Sequence, residues 1–220
     1  MASSQLDSLF SDLLALQQQS SHSLPPVHLW NPPLSGDMDL QIDREGRWMH
    51  EGDEIKRAAL VKLFASILVR EEDEYFLLTP VEKWRIKVAV APLFVVAASR
   101  ECRDGQQAIT LTTSTDDIVV VDKTHPISLA EGDNPLPLVL VRDNIPALIS
   151  RNVYYQLIDW ALESSDVAAN TKIPGTNISG TNISGANISG TNISGANISG
   201  TKNNSLYLSS MGEQFSLGHI

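Results

Sequence analysis

The chain has 220 residues, of which 42% are hydrophobic, and a formal net charge of −10. That length accommodates one large domain or two small ones, and the apolar content suits an ordinary soluble core. The acidic balance disfavours phosphate backbones and anionic membranes as partners, while leaving room for a local basic pocket. Cys102 is the sole cysteine, which excludes an internal disulfide and any multi-cysteine metal site.

Leu6, Leu9, Phe10, Leu13, Leu14 and Leu16 recur at helical spacing, so residues 5–18 are expected to form a short amphipathic helix within an N-terminal arm (1–24). The start, Met-Ala-Ser-Ser-Gln, lacks the basic and apolar regions of a signal peptide, and the apolar run Val88 to Ala98 is too short to span a bilayer and contains Pro92. A cytoplasmic protein is therefore expected. Trp30, set among Pro32 and Pro33, reads as a packing anchor.

Asp39 to Asp43 and Arg47 to His50 read as two strands joined by a hairpin loop with Gly46 at its exit. Ile55, Ala59, Leu60, Leu63, Phe64, Ile67 and Leu68 then mark one face of a helix expected from about Glu54 to Arg70. Strands are expected at Tyr75 to Leu78, Trp84 to Val90, Leu93 to Ser99, Ala108 to Thr112, Ile118 to Val121 and Leu136 to Val141. A closing helix is expected from Ile145 to Glu163, with a break near Ser150. Several short strands followed by one helix point to a curled sheet with a helical plug.

Residues 176–200 are five tandem pentads of the pattern TNISG or ANISG. They resemble pentapeptide repeats, which wind into a four-sided β-helix. Five pentads supply barely more than one coil, and repeats bury their apolar side only when several stack. Residues 171–202 are therefore read as a flexible or weakly ordered insert, the alternatives being a short coil docked on the body or a self-association element built on isoleucine at every fifth residue. Each pentad also carries an N-x-S sequon, relevant only in a secretory compartment.

Catalytic patterns are weak. His50-Glu51-Gly52-Asp53-Glu54 gathers donors, but a zincin helix needs histidine where Glu54 stands. No serine lies in G-x-S-x-G. His125 before Pro126 has no assignable partner, and Cys102 has one basic neighbour.

The chain resembles a family of uncharacterised bacterial proteins, domain-of-unknown-function family 1285. The likeness runs through Trp30, Gly36-Asp37-Met38-Asp39, Gly46-Arg47-Trp48, His50, Gly52, Leu63-Phe64 and Thr79-Pro80-Val81-Glu82-Lys83. It continues through His125-Pro126, Val141-Arg142, Ala147 to Arg151, Tyr154-Tyr155 and Phe215 to Gly218. It implies an α+β fold of two small related subdomains (25–84, and 85–170 with 203–220). The second would be a curled sheet with a helical plug, superficially like a pleckstrin-homology domain. The resemblance also implies a site between the subdomains for a small anionic, nucleotide-like molecule and a role in signalling. The chain departs from the family at Ala89-Val90, where members tend to carry acidic residues before Pro92.

The bases Arg57, Lys83, Arg142 and Arg151 are the candidate anion contacts, because arginine forks match phosphate and carboxylate, with Tyr154 and Tyr155 as candidate stacking rings. The competing account pairs Arg57 with Glu82 or Asp39 and spends Arg151 on capping carbonyls. The leading functional expectation is a non-enzymatic regulatory or ligand-binding protein, with no cofactor, metal, nucleic-acid polymer or membrane partner. A protein–protein adaptor and, behind it, a hydrolase using His50 or His125 are the alternatives.

Overall fold

The computed structural model describes residues 24–130, 135–170 and 205–219. The helix expected at 5–18 and the pentads lie outside the described residues.

Each half of the chain builds a six-stranded sheet. The first contains β1 (Leu34–Ile42), β2 (Trp48–His50), β3 (Asp53–Glu54), β4 (Leu68–Glu71), β5 (Glu74–Leu78) and β6 (Lys83–Val88), in the order β3-β2-β1-β6-β5-β4. The second contains β7 (Leu93–Arg103), β8 (Gln106–Thr113), β9 (Ile118–Val120), β10 (Ile127–Leu129), β11 (Pro137–Arg142) and β12 (Ile145–Ile149). Its order, read from the β9 edge, is β9-β8-β7-β12-β11-β10, the same topology again. In both sheets two antiparallel three-strand meanders meet along one parallel seam. That seam joins the first strand to the last, β1 to β6 and β7 to β12. The halves are thus two related α+β units, one of them curled into a half-barrel.

Alternation explains the first seam. Met38, Leu40 and Ile42 point inward from β1 while Asp37, Asp39 and Gln41 face out. The inward set packs on the helix α1 (Ala58–Ser66), which contributes Leu60, Leu63 and Phe64. Trp48 stacks on Phe64 at 6.1 Å between ring centroids. Trp30 packs partly buried against this core, as expected of an anchor.

Two expected helices need correction. The helix expected from Glu54 to Arg70 is only α1, and Leu68–Glu71 is the edge strand β4. Ile67 and Leu68 continue the apolar helical spacing, but Leu78 N–H donates to the Ile67 carbonyl and the chain pairs with β5, so the ladder prevails. Likewise Ile145–Ile149 is β12 rather than helix. Helix α2 (Arg151–Asn170) begins after Ser150, whose carbonyl accepts from Tyr154 N–H at 2.8 Å. The break expected near Ser150 is a strand-to-helix boundary. The chain leaves the first sheet after Val88, so the boundary expected at residue 84 falls inside β6.

A final hairpin, β13 (Ser205–Ser210) and β14 (Glu213–His219), returns to the second sheet, as the family pattern implies. The Ser210 side chain, 1% exposed, fastens it. Its Oγ accepts from Ile109 N–H at 3.0 Å and donates to the Val121 carbonyl at 2.6 Å. Apolar residues from both halves and the hairpin share one core.

Candidate functional site

The β1–β2 turn carries the first half into the second. Asp43 accepts from the backbone N–H groups of Glu45 and Arg47, each at 2.9 Å, and Arg47 closes the turn with an ion pair to Asp43 at 2.7 Å. Gly46 has φ +77°, and a Cβ there would stand 2.7 Å from the Cβ of Phe94 on β7. Only glycine lets the turn lie so close to the second sheet.

Where the turn meets the start of α2, a cleft of about 530 Å³ opens, within the range of small-molecule sites. Arg44 and Glu45 line it from the first half. Phe94, Pro135, Pro137, Leu148 and the first turn of α2 line it from the second. Arg151, Tyr154 and Tyr155 fall together there through helical spacing at i, i+3 and i+4. Tyr155 is 56% exposed. The Tyr154 hydroxyl donates to the Leu217 carbonyl of β14. Burial raises its pKa, so it stays protonated and able to donate.

The other three expected anion contacts stand elsewhere. Arg142 donates to Asp117 at 2.7 Å and to the Ala65 carbonyl near the end of α1, tying the β8–β9 turn to the first half. Lys83 is ion-paired with Glu71 and lies over the Phe76 ring at 4.4 Å. Arg57 occupies the N-cap position of α1. Glu82 accepts from the Trp84 indole at 3.1 Å, and the Asp39 carbonyl lies 2.6 Å from His50 Nδ1. None of the three lines the cleft.

Arginine partners distinguish the cleft further. Arg47, Arg70, Arg85, Arg100, Arg103 and Arg142 each meet a carboxylate, and Arg57 has an interaction of its own. The side chains of Arg44 and Arg151 make no ion pair or hydrogen bond with a described residue, and both line this one cleft. Arg44 escapes sequence reasoning because a charged residue in a hairpin loop reads as solvated turn.

The expected hydrolase residues have other surroundings. His50 sits on β2, and Glu51 and Gly52 form the turn into β3 with positive φ, so no helix runs through them. His125 Nδ1 lies 2.9 Å from Thr124 Oγ1 and 3.3 Å from Asp122. Neither histidine lines the cleft. Among the described residues no three His, Cys, Asp or Glu side chains gather to hold a metal, and no helix is long and apolar enough to cross a membrane.

Two sheets of one strand order, joined across a cleft and completed by a returning hairpin, define a two-unit α+β protein. The chain belongs to the DUF1285 family. Residues 25–91 match "Domain of unknown function (DUF1285), N-terminal domain" and residues 92–174 match "Protein of unknown function (DUF1285), C-terminal domain". Residues 168–201 match pentapeptide repeats. The chain is similar to the crystal structure of a DUF1285 family protein from Silicibacter pomeroyi DSS-3, at 33% identity and a TM-score of 0.68, over 94% of this chain and 95% of that one. A DUF1285 family protein from Shewanella baltica OS155 matches at 30% identity and a TM-score of 0.46, over 55% of this chain and 91% of that one. No curated protein matches the chain.

Proposed function

We propose that the protein is a non-enzymatic ligand-binding or regulatory protein that recognises a small anionic molecule in the cleft between its two halves. The observation that carries this reading is a pair of arginines, Arg44 from one half and Arg151 from the other, that line one cavity and have no ion-pair or hydrogen-bond partner among the described residues. A guanidinium left without a carboxylate is ready to fork onto a phosphate or carboxylate. Arg151 also opens α2, where the first amide N–H groups lack intrahelical acceptors and add positive potential. Tyr155 supplies an exposed ring for stacking. An anion held by both arginines would join the two units, which suits a sensor better than a catalyst.

The test is a thermal-shift screen of the full chain against nucleotides, phosphorylated metabolites and organic acids. At least one anion is expected to raise the melting temperature, and Arg151→Ala is expected to abolish that rise while the circular dichroism spectrum stays unchanged. A screen in which no anion stabilises the protein overturns the proposal.

A further inference from the structure

The walls of the cleft restrict its ligand further, taking the anion-site reading as given. Among the described residues its positive groups are two, Arg44 and Arg151. Glu45 also lines it, 3.3 Å from Arg47, and the chain as a whole carries −10. Two guanidinium groups match one carboxylate or phosphate head. Each further phosphate would enter an acidic protein with no further cation among the described residues of the wall.

Beyond that head, the lining is mostly apolar: Phe94, Pro135, Leu136, Pro137 and Leu148, with the open face of Tyr155. The Tyr154 hydroxyl is spent on the Leu217 carbonyl. Among the described residues, the Ser150 and Tyr155 hydroxyls are the remaining neutral polar side-chain groups in the wall. A sugar or nucleobase would bring several donors and acceptors into a lining able to satisfy few of them, and unsatisfied polar groups lower affinity steeply. A flat hydrocarbon ring loses nothing there and stacks on tyrosine and proline faces.

We infer that the cleft takes a flat apolar molecule with a single anionic head, an aromatic carboxylate or phosphate monoester, whose head bridges Arg44 and Arg151 while its ring lies against Tyr155 and the Pro135–Pro137 wall. The ligand class is thus narrower than anions in general and excludes nucleoside polyphosphates.

Calorimetric titration of the full chain with five probes tests this: 2-naphthoate, 2-naphthyl phosphate, inorganic phosphate, adenosine 5′-monophosphate and adenosine 5′-triphosphate. One naphthyl probe is expected to bind at least about 10-fold tighter than either nucleotide, with no measurable heat from inorganic phosphate, and the carboxylate and phosphate arms identify the preferred head. Arg44→Gln and Arg151→Gln should each weaken that probe by about 10-fold or more, the scale of one lost charge-assisted hydrogen bond. Both residues are exposed, so both variants should melt as the parent does. Tightest binding by the triphosphate overturns the single-head inference and leaves the anion site standing. Binding by none of the five, together with a negative screen, removes the anion site as well. A naphthyl affinity indifferent to Arg44→Gln overturns the bridging head.

Discussion

Ser210→Ala is the sharpest test of how the second unit is held closed. The hydroxyl is buried and joins three strands' worth of chain: it accepts from Ile109 N–H on β8 and donates to the Val121 carbonyl just past β9. Alanine fits the space and keeps the strand, so the change removes two hydrogen bonds and little else. Each buried partner left unsatisfied costs about 1–3 kcal/mol, so the two together should cost about 2–6 kcal/mol. With a urea m-value of about 2 kcal/mol/M, the unfolding midpoint should fall by about 1–3 M. Urea denaturation followed by tryptophan fluorescence reads this, since Trp48 is buried in the first unit and Trp160 is half-buried on α2. Ser128→Ala, at an exposed site on β10, is the control and should move the midpoint negligibly. A Ser210→Ala midpoint within about 0.3 M of the parent would refute the claim that this hydroxyl fastens the hairpin.

Two further outcomes follow from the turns. Gly46→Ala should destabilise by about 2 kcal/mol or more, because positive φ strain combines with a Cβ–Cβ clash against Phe94 that no rotamer relieves. Gly105→Ala, at similar φ but with nothing within 4 Å, should cost only about 1–2 kcal/mol, and paired thermal melts compare them. Acid should weaken the fold through Asp43 and Asp122. Burial alone would raise both carboxyls, but hydrogen bonds from Arg47 and Glu45 at the first, and from Thr124 and His125 at the second, outweigh it and hold both below the usual range. A depressed folded-state pKa gives stability that is fully present above about pH 4 and lost as pH falls through the folded value. Asp43→Asn and Asp122→Asn should therefore flatten the fall in melting temperature below about pH 4, and an unchanged slope in both would contradict the assignment.

Local rules made much of this molecule readable, and they failed where tertiary pairing decided. The β1–β2 turn was legible because Gly46 and an Asp able to accept from nearby N–H groups write their geometry into the sequence. The end of α1 was not, since no glycine or proline separates Phe64 from Leu68, and only the ladder with β5 tells strand from helix. At β12, Pro146 is acceptable in the first turn of a helix, so Ile145–Ile149 looked helical until its parallel pairing with β7 was seen. In the site, Arg151, Tyr154 and Tyr155 were legible because one helix groups them. Arg44 belongs with them only through the docking of the two halves, which no local pattern encodes. Lys83 and Arg142 were chosen for their charge, and the fold spends that charge on Glu71 and Asp117.

The parallel seams have a consequence for how such a chain assembles. Leu34 pairs with Lys83, and Leu93 with Ala147, so the middle of each six-stranded sheet joins its first strand in the chain to its last. Each three-strand meander is local and can zip at once, but the seam must wait for the sixth strand and then close a long loop. Order of synthesis is therefore not order of assembly. A cut between the meanders severs no strand, whereas loss of the first or the last strand of a six-stranded sheet removes half of its central seam.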